Sequence, residues 1–258
     1  MIKSKSTFDF SEKKILVTGG ARGIGRAIVE AFLDAGALVA VNGRSEASVS
    51  SALKHFAAGD RAKPAVGNVA NVEECNRIVN AAVDQLGGLD VLVNNAGVFY
   101  IGSVAETNED LWDSMFDINV KGTFYCCQAA QPVLEKSEGA IVNIASQAGL
   151  EGYTNIAAYC ASKAAVVNMT RAMSLEFAPD IRVNCICPGF IDTDMTRTAL
   201  TSDEKESADL SEVKNSYPLK RIGTPEEVAS LVLYVSSSDA SFITGTAIAI
   251  DGGGTAGH

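Results

Sequence analysis

Apolar residues along this chain gather into short, nearly unbroken runs separated by longer stretches of helical period. The runs are KKILVT, ALVAVN, KPAVG, LDVLVN, GAIVNIA, IRVNCIC and TAIAID, each bounded by turn-forming residues, and they predict seven strands. Their apolarity is continuous and does not alternate, so both faces are expected to be covered, which implies a parallel sheet between two helical layers. Between the first two runs Ile24, Ala27, Ile28, Ala31 and Phe32 repeat at i, i+3, i+4, the mark of a helix burying one stripe, and Gly36 closes it as a left-handed cap. Strand and helix thus alternate in βαβ units. The expected fold class is α/β: a single doubly wound domain whose seven-stranded parallel sheet carries helices on both faces.

No linker, composition break or internal repeat interrupts the series. Residues 12–258 therefore read as one domain behind a flexible amino-terminal segment, 1–11. One stretch departs from the rhythm: TDMTRTALTSDEKESADLSEVKNSYPLKR, directly after the sixth strand, is charged and weakly periodic. In an open parallel sheet ligands lie beyond the carboxyl ends of the strands, so residues 190–222 are expected to form a substrate lid, with a solvated surface excursion as the plain alternative.

Composition narrows the classes of partner. The chain has 258 residues, 47 % of them apolar, which suffices for a sizeable core. Its formal charge of −10 disfavours nucleic acid and anionic membranes, both polyanions. The amino terminus, MIKSKSTFDFSEKK, has no apolar run like a signal peptide, and no segment holds 18 uninterrupted apolar residues, so a cytoplasmic protein is expected. Six cysteines without C-x-x-C spacing read as reduced core thiols, not zinc ligands. With His55 and His258 as the sole imidazoles, a histidine triad or metal cluster has no material, and no metal is expected.

The first strand runs into TGGARGIG, which opens the helix just described. Gly19, Gly23 and Gly25 let the backbone turn tightly, approach a pyrophosphate and pack helix against strand, while the helix amino terminus offers N–H groups and a favourable dipole. This context is what a dinucleotide site requires. Further on, AAYCASKAAV sets Tyr159 and Lys163 four residues apart, side by side on one helical face.

The glycine motif reads G-x-x-x-G-x-G. Together with NNAG (Asn94 to Gly97) after the fourth strand, Ser146 after the fifth, Tyr159-x-x-x-Lys163 on the next helix and Pro188-Gly189 after the sixth, it resembles the short-chain dehydrogenase/reductase family, a Rossmann-type fold. The resemblance spans roughly residues 12 to 254 and rests on the joint order and spacing of these motifs. It implies hydride transfer between a nicotinamide and a carbonyl or carbinol carbon, with proton transfer through Tyr159. Ser146 would hold and polarise the substrate oxygen, Lys163 would also hydrogen-bond the nicotinamide ribose, and Asn119 in DINVKGTF would position a water in a proton relay. Asn95, Ala96 and Gly97 would pass the adenine ribose; Asn68, where the family usually has an aspartate, and Val69 would adjoin the adenine. Pro188, Gly189, Ile191 and Thr193 would flank the nicotinamide. The family is commonly tetrameric, and the same state is expected here, with Leu111, Met115, Ile118, Phe124, Val166, Val167 and Met169 as candidate interface residues.

Cofactor choice turns on VNGRS at the end of the second strand. An acidic residue there would bind a ribose 2′-OH, yet Asn42 occupies the position, and Arg44 with Arg22, beside Gly23 and Ile24, could face a 2′-phosphate; NADP(H) is expected over NAD(H). A free tyrosine titrates near 10, and the neighbouring Lys163 charge is expected to bring Tyr159 lower. Gln147, Leu150, Glu151, Tyr153 and Asn155 are expected to wall the substrate site, with Gln147 and Tyr153 in contact. The polar members favour a polyol or hydroxylated ketone, while Leu150 and Tyr153 fit an apolar pocket equally well. A 3-oxoacyl-acyl-carrier-protein reductase is the alternative, disfavoured because acidic carriers seek basic surfaces. A non-catalytic nucleotide-binding regulator is the alternative of another class, and it would not need the Ser, Tyr and Lys that are all present.

Overall fold

The computed structural model describes residues 8–201 and 210–257. Seven strands, β1 (Lys14–Val17), β2 (Leu38–Gly43), β3 (Ala62–Val66), β4 (Val91–Asn94), β5 (Ala140–Ile144), β6 (Arg182–Pro188) and β7 (Ala247–Ile250), form one parallel sheet in the order β3-β2-β1-β4-β5-β6-β7. These are the seven expected runs. The chain works outward from β1 to β3 and then restarts at β4 on the other side of β1. That reversal leaves a crevice over the carboxyl ends of β1 and β4, where ligands of such sheets bind.

Burial on both faces explains the unbroken apolar runs. Within β1, Ile15 and Val17 enter one core with Ile28 and Phe32 of α1 (Gly23–Asp34) and Val228 and Val232 of α9 (Pro225–Ser236). Leu16, between them in sequence, points the other way, into a core shared with α3 (Val72–Leu86) and α5 (Gly122–Ser137). Helix α1 ends at Ala35, and Gly36 follows with φ +94°, so the expected left-handed exit is observed. Helix α4 (Glu109–Met115) reaches α5 through a π-helical turn, Phe116–Lys121. The remaining helices are α2 (Glu46–Phe56), α6 (Ala157–Glu176), α7 (Asp194–Thr201) and α8 (Leu210–Ser216).

The boundary expected at residue 12 moves toward the amino terminus. Phe10 is buried edge-on against Phe32, with ring centroids 5.0 Å apart, and its N–H donates to the Ala35 carbonyl at 2.8 Å. An isolated phenylalanine carries no periodicity, so its tertiary anchor left no signal in the pattern. Residues 1–7 of that segment, and 202–209 of the expected lid, lie outside the described residues. All six cysteines are free thiols. Among the described residues no helix is long and apolar enough to cross a membrane, and no group of three or more His, Cys, Asp or Glu side chains is placed to hold a metal.

Candidate active site

A cleft of about 400 Å³ lies over the carboxyl ends of β1, β2, β4, β5 and β6. Its floor at one end is the glycine loop. Gly19 and Gly23 have φ of +62° and +55°, and a Cβ on Gly25 would overlap the Gly19 carbonyl oxygen and the Asn95 amide. The end of β4 holds this loop in place: Thr18 Oγ1 accepts from the N–H groups of Asn95 and Ala96, both at 3.0 Å, and Asn95 Nδ2 donates to the carbonyls of Thr18 and Gly19 at 2.9 and 3.1 Å. In NNAG the bracing role is therefore observed directly.

The helix that starts here is capped differently from its neighbours. Ser45, Asn71, Asn108 and Thr224 each cap a helix by accepting a backbone N–H from its first turn. Helix α1 has Arg22 at this position, with no side-chain cap and no acidic residue in its first turn. Its amino terminus faces the cleft with the dipole uncompensated, the arrangement that suits a pyrophosphate. The residues present therefore fit a dinucleotide.

Asn42 lines the cleft as expected, yet its side chain is committed to the protein. It is 2 % exposed; its Oδ1 accepts from Gly19 N at 3.2 Å, and its Nδ2 donates to the carbonyls of Ala65 and Gly67 at 2.8 and 3.1 Å. The amide thus ties the glycine loop to β3, and no donor remains for a ribose. Arg22 and Arg44 line the cleft at this end, both exposed, and among the described residues neither guanidinium has a hydrogen-bond or ion-pair partner. Ser45 and Ser48 line the same end. Asn68 also lines it, with its Oδ1 accepting from Ala70 N at 3.2 Å, and Val69 and Ile24 adjoin.

At the other end Ser146, Tyr159 and Lys163 come together, although 17 residues and two elements separate the first from the last. Ser146 follows β5; Tyr159 and Lys163 share one face of α6. Lys163 is 5 % exposed, its ammonium donates to the Ile144 carbonyl at 2.9 Å, and it stands 5.8 Å from the centroid of the Tyr159 ring. Burial pulls Lys163 down to about 8. Burial also pushes Tyr159 up to about 12, against the hydrogen bond from Ser146, which lowers it. In the protein alone Tyr159 therefore moves opposite to the expected direction: desolvation outweighs the Ser146 hydrogen bond, and the Lys163 ammonium gives its own bond to a main-chain carbonyl.

Asn119 sits in the π-helical turn, buried. Its Oδ1 accepts from Val98 N at 2.9 Å, while its Nδ2 donates to the Val98 carbonyl at 3.0 Å and to Ser162 Oγ at 3.1 Å. It thereby fastens the loop that leaves NNAG to the helix that carries Tyr159. Sequence reasoning missed Phe99, whose ring meets Tyr159 edge to face at 4.7 Å. Nothing in its period singled it out.

Of the expected substrate walls, Ser146 and Tyr159 line the cleft, and Gln147, Leu150, Glu151, Tyr153 and Asn155 do not. Gln147 turns inward, 6 % exposed, and donates through Nε2 to Tyr217 Oη at 2.8 Å. Tyr153 Oη donates to Glu151 Oε2 at 3.3 Å. Gln147 opens a short 3-10 turn, Gln147–Gly149, ahead of the others. Pro188, Gly189, Ile191 and Thr193 line the cleft, joined by Asp194 and Met195 of α7.

Residues 19–255 match the family model described as "Enoyl-(Acyl carrier protein) reductase". The chain is 38 % identical to 2-(S)-hydroxypropyl-CoM dehydrogenase 3 of Xanthobacter autotrophicus, over 94 % of this chain and 96 % of that one. It is likewise 38 % identical to meso-2,3-butanediol dehydrogenase of Serratia marcescens, over 96 % of each. A 3-oxoacyl-acyl-carrier-protein reductase of Chlamydia muridarum is 38 % identical over 93 % of this chain and 96 % of its own. Among solved structures, a glucose/ribitol dehydrogenase of the short-chain family from Brucella melitensis superposes with a TM-score of 0.89 at 34 % identity, covering 95 % of this chain and 98 % of its own. ElxO with NADP bound gives 0.88 at 32 %, covering 95 % and 99 %. The chain belongs to the short-chain dehydrogenase/reductase family, of the classical type, and is an NAD(P)-dependent oxidoreductase acting on CH–OH groups.

Proposed function

We propose that this enzyme interconverts a small polyol or hydroxylated ketone and its oxidation partner with NADP(H), using Tyr159 as general acid and base. The convergence of Ser146, Tyr159 and Lys163 at one end of the cleft whose other end is the uncapped helix α1 carries the reaction, and similarity to meso-2,3-butanediol dehydrogenase favours the hydroxylated substrate. The nicotinamide, when bound, supplies or accepts the hydride. Ser146 donates to the substrate oxygen and holds it beside the Tyr159 hydroxyl. In the reducing direction Tyr159 gives its proton to that oxygen; in the oxidising direction it takes the proton back. Lys163 provides the positive charge that stabilises the phenolate form. A Cβ at Gly97 would lie 3.2 Å from Asn119 Oδ1 and 3.5 Å from Lys163 Nζ, so the glycine lets the loop pass close to both groups.

For the cofactor, two guanidiniums without partners among the described residues, beside a buried Asn42, favour a 2′-phosphate, since guanidinium forks match phosphate geometry and the end of β2 carries an amide in place of a carboxylate. The described flanks of the excursion, 190–201 and 210–222, act as the lid: α7 lines the cleft, and Gly223 N, just beyond the second flank, donates to the Phe190 carbonyl at 2.9 Å at the start of the first. Assembly into a tetramer is supported by apolar side chains left on the surface, among them Trp112, Phe124, Leu175 and Phe242. Met115, Val166 and Val167, taken from the sequence as interface candidates, are instead buried in the protein's own core. Free thiols throughout fit a cytoplasmic setting.

The test is turnover of polyols, secondary alcohols, matching ketones and 3-oxoacyl thioesters, followed by nicotinamide absorbance with NADP(H) and NAD(H) in parallel. Turnover of hydroxylated ketones with NADPH supports the reading. Turnover confined to 3-oxoacyl thioesters selects the carrier-protein reductase, which similarity to the Chlamydia muridarum enzyme favours and the charge of −10 opposes.

A further inference from the structure

Two residues past NNAG, Phe99 sets its ring against that of Tyr159, with centroids 4.7 Å apart and planes at 83°, the edge-to-face geometry that aromatic pairs prefer. The loop that carries it is pinned on either side. At Val98 both main-chain groups are used: the N–H donates to Asn119 Oδ1 at 2.9 Å, and the carbonyl accepts from Asn119 Nδ2 at 3.0 Å. At Gly102 the N–H donates to the Asn155 carbonyl at 2.8 Å, and Asn155, at φ +61°, lies two residues ahead of α6. The ring therefore rides on a short span fixed at both ends, one to the π-helical turn and the other to the entry of the helix that bears Tyr159.

Tyr159 meets different surroundings on its two sides. Toward the cleft it takes the hydrogen bond from Ser146, and the Lys163 ammonium stands 5.8 Å from its ring centroid. It also closes a narrow crevice with Tyr100, Ile101, Leu111, Met115 and Ile156. The titratable groups that face the phenol are Lys163 and Cys160 of its own helix and Tyr100 of the Phe99 loop, and Asp194 of α7 lines the same cleft. Burial dominates the ionisation of the phenol and holds it at about 12. Phe99 itself lines neither the cleft nor the crevice, so it reaches the reaction through the Tyr159 ring.

We propose that Phe99 is a positioning residue for proton transfer: its anchored ring fixes the Tyr159 ring against Ser146 and shuts water out from around the phenol. This rests on the reading of Tyr159 as general acid and base. Both loop anchors are main-chain groups of other residues, so Phe99→Ala leaves them in place and removes only the ring, while Phe99→Tyr keeps the ring. Water admitted at the vacated site favours the phenolate, and the freed Tyr159 ring loses its alignment with the substrate oxygen.

Two measurements on the full-length enzyme test it. The first is nitration by tetranitromethane, read peptide by peptide in a mass spectrometer, and it needs neither cofactor nor turnover. In Phe99→Ala nitration of Tyr159 is expected to speed up about tenfold, while that of Tyr217, 5 % exposed, stays at the wild-type rate and shows the fold intact. The second is the pH profile of kcat for oxidation of a vicinal diol with saturating NADP+, in which activity rises as Tyr159 loses its proton. Phe99→Ala lowers the plateau about tenfold and moves the midpoint about one pH unit toward acid, and Phe99→Tyr restores both. An unchanged rate of Tyr159 nitration overturns the shielding. A plateau that falls with its midpoint unmoved, or a loss that Phe99→Tyr does not restore, reduces Phe99 to packing and overturns its part in proton transfer. A wild-type enzyme that does not oxidise the diol, or activity that survives Tyr159→Phe, refutes the reading above and with it that part, and leaves the shielding to be decided by nitration.

Discussion

At the glycine loop the cleft is shaped by main chain: two residues at positive φ, a close approach at Gly25 and an uncapped helix end. At the substrate end it is shaped by side chains brought from distant segments, Ser146 after β5, Phe99 after β4 and Tyr159 on α6, with Gln147 and Tyr217 behind them. The first kind of site tolerates few substitutions because a backbone contact has no rotamer to relax into. The second tolerates many but changes specificity with each. One fold can thus keep a dinucleotide grip while its substrate varies, as the named activities of the relatives do.

The largest effect separating the two ends belongs to Tyr159. Tyr159→Phe is expected to lower kcat by about 10³-fold, the range of a lost general acid, while the Kd for NADP+ stays within about twofold. Steady-state kinetics with cofactor titration checks it, and residual activity near the wild-type level would remove Tyr159 from the reaction. Gly25→Ala acts at the opposite end and through the fold: collision with the Gly19 carbonyl and Asn95 is expected to cost about 3 kcal/mol, or roughly 10 °C in Tm. A melting curve that overlays the wild type would show the loop to be more pliant than its geometry implies.

Next in size is the charge at the adenine end. Arg44→Ala and Arg22→Ala are each expected to weaken NADP+ by about 10- to 100-fold, the loss of a charge-assisted bond, and to alter NAD+ binding by less than about twofold. Equal losses for both cofactors in calorimetric titration would assign the arginines to the pyrophosphate or to the surface.

The smallest effect is a pH slope. Lys163 titrates at about 8 in the folded protein and at 10.5 when free, so between these values the unfolded chain holds the extra proton and this group makes stability rise with pH. Below about pH 8 both states are charged, and the full cost of burying the ammonium is present. Urea unfolding of wild type and Lys163→Met at about pH 7 and about pH 9.5 should show the difference shifting in favour of the wild type at the higher value. A constant difference contradicts the lowered value.

Much of the adenine end was legible because its determinants are local. A run of apolar residues ending in Thr18-Gly19 and resuming at Ile24 states strand, turn and helix within a dozen positions, and Tyr159 with Lys163 lies on one helical turn. Asn42, Gln147 and Tyr153 were misdirected by the same reasoning: their positions along the chain were right, and their side-chain directions were set by partners elsewhere, at Gly19 and Ala65, at Tyr217, and at Glu151 within a tight turn. Phe10, Phe99 and Tyr217 gave no signal at all. Single aromatics have no period, and their partners are far away in sequence.

From residue order alone came the seven strands, their burial on both faces, the doubly wound class and the candidate groups for the chemistry, since these depend on periodicity, on glycines at positive φ and on spacing within one helix. The tertiary structure alone decided how those groups are solvated and where they point. It turned the Lys163 ammonium to the Ile144 carbonyl, raised Tyr159 where a neighbouring charge suggested lowering, and closed Asn42 into the core. Desolvation and hydrogen-bond partnership are sums over atoms from every packed segment, and a linear pattern does not contain them.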